Sequence, residues 1–455
     1  MTTSRSFPSR TAVLALTFIG LSTGSTAWAA GFQVLTTGKV AKLENRGDPA
    51  KNVGTITIGR DRALQTLYNP MCPATSAVEI EAYLQSTLRD AILAHVDLDC
   101  AKWSAKGKAF KYKDPTGTIR SISYGSSGLQ ITFGGPGFAP LDGPVAFVQA
   151  QLQIGDQTLR ARFHNFKQND AKKVISRKLS AAAAAGEAGF WDVLSGDDST
   201  EAHEQEVIAN LQKAAKRDKH DGRSRFLLAM IHLYRFGQMV TTFDSISAEA
   251  HAELVAANAS FTEALPLVWN DATLTGDSRI PGFAGSAKYT LGRVDNDAAL
   301  AAEGLADLQR AVEENPFFNV FDLIPVLQVL PPSDPVFQQA YASFIAYLSD
   351  PDTLQCVTTQ PELCANAGFA PRNLQGSLIL FGDLYAKAGN LQQAQSWYGL
   401  AALFPETATW KFASVSQDRS ANAAARVALY ADGNPSNDPP ILGAGAEACA
   451  VCHNR

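Results

Sequence analysis

No run of apolar residues in this chain approaches the roughly eighteen that a membrane-crossing helix requires. Positive charge is not in excess either. The 39 Lys and Arg face 44 Asp and Glu, for a net charge of −5, which leaves no electrostatic footprint for a nucleic acid. The one lysine cluster, Lys106, Lys108, Lys111 and Lys113, alternates with Gly107, Ala109, Phe110 and Tyr112, as the solvated side of a strand and its turn would. Familiar catalytic patterns are missing. His203-Glu204-Gln205-Glu206-Val207 opens like a zinc-protease helix but lacks the second His, and Gly125-Ser126-Ser127-Gly128 is not a nucleophile elbow. The Gly134-Gly135-Pro136-Gly137 turn has no phosphate-binding Lys-Ser/Thr after it. No paired carboxylates stand out for acid–base work. The length leaves ample chain for two or three domains with cores of their own.

What is present begins at the N-terminus. Arg5 and Arg10 form a basic region, Ala12–Leu21 a short apolar core, and Ala27-Trp28-Ala29 a small-residue cleavage site. Residues 1–29 are therefore expected to be a signal peptide, exporting the chain to the periplasm or the exterior of a bacterial cell. Cleavage there would remove two positive charges and no acid. No cysteine follows the cleavage point, so no lipid anchor is expected. Of the 6 cysteines, Cys72, Cys100, Cys356 and Cys364 are read as structural in an oxidising compartment. Four cysteines allow three pairings. Cys72 with Cys100 and Cys356 with Cys364 are favoured, because each pair closes a modest loop within one segment.

Residues 30–170 are expected to form an antiparallel β-sandwich. Thr55–Ile58, Val78–Ala82, Leu129–Phe133 and Val148–Ile154 alternate apolar and polar residues, as half-buried strands do. Turn residues separate them at Asp114-Pro115-Thr116-Gly117, at Gly134–Gly137 and at Gly155-Asp156. The run Trp103-x3-Gly107-x2-Phe110-x-Tyr112-x-Asp114-x2-Gly117 resembles a β-domain of secreted proteins from environmental bacteria, a resemblance that implies a fold and no activity. Trp103, Phe110 and Tyr112 suit either the core or a sugar-binding face, and packing is the simpler role.

Residues 171–200 read as a junction, with a short helix over Ala181–Ala185 and a polar loop before Thr200. From 201 to 430 the period becomes helical. Val207, Ile208, Leu211, Ala214 and Ala215 share one stripe, and Phe226, Leu227, Met230, Ile231 and Tyr234 another. Leu378–Pro405 resembles a tetratricopeptide repeat. Phe381 and Gly382 hold its Leu-Gly positions, Tyr385 the next aromatic, Gly389 the turn and Ala394 the small crossing residue, with Tyr398 and Ala401 in register. Leu291, Gly292, Gly304, Leu308, Ala311 and Pro316 follow the same frame more loosely. The resemblance implies an irregular tetratricopeptide-like helical solenoid. The aromatic segment Asn315–Ile324, near Trp269 and Arg279–Phe283, is expected either to pack between helix pairs or to line a groove for a peptide or partner protein.

Residues 431–455 read as a flexible tail, because Asp432–Pro440 has the composition of a linker. The tail carries Cys449-Ala450-Val451-Cys452-His453, and Cys-x-x-Cys-His is the attachment motif of c-type haem. The resemblance to c-type cytochromes implies one covalent haem c, thioether bonds from Cys449 and Cys452, and His453 as an axial iron ligand. It also implies attachment outside the cytoplasmic membrane, in accord with the signal peptide. A disulfide between the two cysteines or part of a zinc site are the other readings. His232 is the first candidate for the sixth iron ligand, ahead of Met230, Met239, His251 and His220. The expected function is electron transfer with a periplasmic or surface protein. The alternatives are a haem-free interaction scaffold and a haem oxidoreductase of peroxidase type.

Overall fold

The computed structural model describes residues 32–453 except 35–37, 62–63, 65–75, 85–89, 139–144, 241–245, 271–274, 354–371, 405–406, 435–436, 443–449 and positions 108, 156, 165, 197, 352 and 409. An antiparallel β region comes first and a helical region follows. In the first sheet the order is β1 (Phe32–Val34), β11 (Gln157–Phe163), β10 (Val145–Ile154), β4 (Ser76–Leu84), β5 (Asp90–Asp97). All neighbours are antiparallel but β1 and β11. The second sheet runs β12 (Phe166–Asn169), β13 (Lys173–Ser176), β2 (Gly38–Glu44), β3 (Val53–Ile58), β9 (Gly128–Gly134), β8 (Ile119–Gly125), β7 (Ala109–Lys113), β6 (Trp103–Lys106).

Alternation decides which side chains enter the core. Along β3 every second residue is buried, because successive side chains point to opposite faces of the pleat. Ala41, Ile56 and Ile131 of one sheet and Leu152, Leu159 and Ala161 of the other join a single hydrophobic cluster. Trp103 and Tyr112 belong to it, edge to face at 5.5 Å. They are therefore core residues and form no exposed binding face. The sheet also runs past the expected boundary at 170, since β13 pairs with β2.

The expected junction is largely helical. α1 (Ala181–Ser195) starts at Ser180, whose Oγ accepts from the Ala183 N–H, and α2 (Glu201–Arg217) starts at Thr200 in the same way. Then come α3 (Gly222–Met239), α4 (Ala248–Val268), α5 (Ile280–Val294), α6 (Ala298–Glu314), α7 (Pro316–Asn319), α8 (Ile324–Val329) and α9 (Pro335–Leu348). After the gap stand α10 (Asn373–Lys387), α11 (Leu391–Ala402), α12 (Ala413–Ala431) and the single turn α13 (Ala450–His453). A two-strand ribbon, β14 (Trp269–Asn270) with β15 (Thr275–Gly276), lies against β10.

The two repeat-like stretches are helical hairpins, α5–α6 and α10–α11. In the first, a Cβ on Gly304 would stand 2.3 Å from the Tyr289 backbone nitrogen, so the helices approach as only glycine permits. In the second, Gly389 adopts φ 82° to turn the chain, and Ala394, Tyr398 and Ala401 are buried as the pattern predicts. Between them, Asn319, Val320 and Leu323 are buried against α5, α6, α8 and α9. Phe318 meets Phe283, and Phe321 meets Phe344, Tyr347 and Phe381, so these aromatics of the segment pack between helices.

The C-terminal segment is not the flexible tail its composition suggests. Ile441 and Leu442 are 0% and 2% exposed. The Leu442 N–H donates to Asp383 Oδ2 at 2.8 Å and the Ile441 N–H to Gln328 Oε1 at 2.6 Å. Arg426 donates to the Pro440 carbonyl and the Tyr430 hydroxyl to that of Pro439. Prolines and glycines make this strap irregular. Its backbone groups find their partners on α8, α10 and α12.

Candidate functional site

The strap leads to α13, which carries the only chemistry the sequence singled out. α13 packs against α10 and against α1. Val451 is its anchor at 2% exposure, while Cys452 and His453 are half-buried. A four-residue helix cannot satisfy its own terminal carbonyls. Here the Trp410 indole N–H donates to the Val451 carbonyl at 3.1 Å, and the Arg372 N–H donates to that of Cys452 at 2.9 Å. Arg372 stands immediately before α10, so the turn and the helix share an end. The His453 ring lies 6.0 Å from the ring of Trp191 on α1, the planes inclined by 45°.

Helical geometry bears on whether these residues suit a haem. At about 100° per residue, the consecutive positions 452 and 453 of this turn lie about 100° apart around its axis. Covalent attachment with axial ligation demands two thiols and an imidazole, and the described turn brings one thiol and the imidazole side by side. Cys452 stands outside any disulfide. Cys449 lies outside the described residues, as do Cys72, Cys356 and Cys364. Cys100 is disulfide-bonded, but its partner is not among the described residues, so the expected pairings are not either. Residues 1–29, expected from the sequence to be a signal peptide, also lie outside them.

The structure gives His232 another role. Its Nδ1 sits 2.6 Å from Glu253 Oε2, and Glu253 also accepts from Arg235 Nε at 2.7 Å. Arg235 reaches Glu204 Oε2 at 2.7 Å, so one buried ion network joins α2, α3 and α4. Burial pushes the Glu253 carboxyl up, but His232 and Arg235 outweigh it and hold it below the usual range. Burial instead wins at Glu204, which is raised. Three of the other four candidate ligands are likewise engaged. Met230 is in the core, Met239 packs against a separate cluster with Phe236 and Leu254, and His251 pairs with Asp295 at 2.6 Å. His220 precedes α3 in an exposed turn.

Sequence reasoning missed the group that organises this end of the molecule. Asp383, 0% exposed, accepts from Arg419 Nε, Arg426 Nη2, the Tyr398 hydroxyl at 2.6 Å and the Leu442 N–H. An acid within the apolar stripe of α10 was the available signal. Nearby, Lys387 is buried between the Gln328 carbonyl and Asp438, and burial pulls its ammonium below the usual range. Among the described residues no three His, Cys, Asp or Glu side chains stand together as a metal site. Likewise no helix there is long and apolar enough to cross a membrane. No known protein family, curated protein or solved structure matches this chain.

Proposed function

We propose that the chain is an exported monohaem c-type protein that exchanges electrons with a protein partner in the periplasm or at the cell surface. Within this reading the two sheets form an antiparallel sandwich, and the helices an irregular tetratricopeptide-like solenoid. Cys449 and Cys452 would hold the haem by thioethers and His453 would ligate the iron. When bound, the group supplies a one-electron ferric/ferrous couple.

The chain's own residues do the rest. Trp410 and Arg372 hold the carbonyls of the motif turn, and Trp191 flanks the imidazole. The strap, fixed by Asp383 and Gln328, sets where the turn lies on the body. The observation that carries the reading is a docked helical turn bearing Cys452 and His453 together, at the end of an otherwise motif-poor chain.

The test is expression of the full chain in a host with the haem maturation machinery, followed by a denaturing gel stained for covalent haem. A stained band is expected, and it should vanish in the double variant Cys449→Ala, Cys452→Ala. An unstained wild-type band defeats the reading and leaves a secreted, haem-free scaffold. High-spin, five-coordinate iron in the stained protein would move it toward a peroxidase-type enzyme.

A further inference from the structure

Three elements distant in sequence converge on the last turn. On α10, Gly376 lies beneath it. A Cβ added there would stand 2.8 Å from Cys452 Sγ and 2.8 Å from Val451 Cγ1, closer than packed atoms come. Alanine is the better helix former, so glycine weakens α10 at this position and leaves the room that the turn occupies. Ahead of α12, the Trp410 indole is buried, and its single N–H is spent on the Val451 carbonyl. On α1, Trp191 lies beside His453. Phe412, two residues beyond Trp410, packs against both the α1–α5 core and the α10–α12 core. The turn therefore sits on the seam between the first and last helices of the array.

We propose that this seam is a built seat whose occupant is the chain's own terminal turn. Trp191, Gly376 and Trp410 are its positioning residues. They hold Cys452 and His453 so that a haem carried there presents one fixed face to its redox partner. The redox half of this inference rests on the haem reading; the docking half does not.

Thiol reactivity separates the two. In the reduced, haem-free full-length chain, the rate at which a maleimide labels Cys452 is read by peptide mass spectrometry. Release of one neutral hydrogen bond in Trp410→Phe should speed labelling by about fivefold. Gly376→Ala should speed it at least as much, while its helical circular dichroism and thermal midpoint stay near wild type. Gly399→Ala adds its methyl to open space on α11 and should label at the wild-type rate. Equal labelling of Cys452 in wild type, Gly376→Ala and Trp410→Phe overturns the seat.

In the matured chain, Gly376→Ala, Trp410→Phe, Trp191→Ala and Trp191→Phe should all stain as strongly as wild type for covalent haem. Gly376→Ala and Trp191→Ala should bind exogenous imidazole faster than wild type, and Trp191→Phe should fall near wild type. Equal staining with identical imidazole-binding rates overturns the positioning role. An unstained wild type overturns only the haem reading, and the labelling rates then decide the seat on their own.

Discussion

Asp322, in the 3₁₀ turn Val320–Leu323, is buried with its Oδ2 making no hydrogen bond. Asn319 beside it donates both amide hydrogens, to the Ser278 and Ala311 carbonyls, and leaves its own Oδ1 unbonded. Both oxygens crowd Gly282, where a Cβ would lie 2.1 Å from Asp322 Oδ2 and 2.9 Å from Asn319 Oδ1. Burial alone pushes the Asp322 carboxyl well above its usual range, with no charged neighbour acting on it. Burial therefore favours the neutral acid over the carboxylate in the fold, and its proton can serve an acceptor oxygen. Because the folded value is raised, this group's contribution to stability is complete below the unfolded value of about 4 and is lost as pH rises through the folded one. Asp322→Asn keeps the shape and cannot ionise. It should be more stable than wild type at pH 7 and no more stable near pH 4, as read from urea midpoints at both. A variant weaker than wild type at pH 7 would show that a buried partner for the carboxylate exists.

Helix α10 joins more of the molecule than any other element at this end. Its Asp383 gathers two arginines of α12, a tyrosine of α11 and a strap amide, and removing it strands two buried guanidinium groups. Breaking such a pair costs about 3–5 kcal/mol, so Asp383→Ala should lose that much in chemical denaturation. Tyr398→Phe, which gives up a single hydrogen bond, should lose about 1 kcal/mol. In the other hairpin, Gly304→Ala gains about 1 kcal/mol of helix propensity but drives a methyl into the backbone of Tyr289. A net loss of thermal stability is expected, and a gain would mean that the two helices can separate freely.

These two hairpins were legible beforehand because their signal is local: small residues at crossings, aromatics between pairs, glycine at a turn. The strap was not. Asp432–Pro440 has a linker's composition, and what fixes it is supplied by Gln328, Asp383, Arg419 and Arg426, none of which its own sequence mentions. The motif at 449–453 stood out in the sequence, whereas Trp191, Gly376 and Trp410, against which residues 451–453 pack, come from three separate segments. The strand at 173–176 was missed for a similar reason, since four residues carry too short an alternation to register.

Across the whole molecule, the β region and the helical region meet around Phe147. Its ring carries the Arg162 guanidinium at 4.6 Å and the Arg279 guanidinium, from the start of α5, at 5.0 Å. His164 lies 5.5 Å away with its Nε2 buried and unbonded. Asp277 and Glu187 balance Arg279 and Arg223 respectively. Burial holds the His164 imidazole well below its usual range, and the positive charges of Arg223, Arg162 and Arg279 lower it further. A histidine depressed in the fold contributes stability above its unfolded value of about 6.5, and that contribution is lost as pH falls through the folded one. Acid should therefore weaken this junction before it weakens either core, because protonation adds positive charge beside Arg223, Arg162 and Arg279. Calorimetry of the wild-type chain should show the β and helical transitions drawing apart between pH 7.5 and pH 5. His164→Gln, neutral at both, should keep them together. If the variant and the wild type separate alike on acidification, some group other than His164 governs the coupling of the two regions.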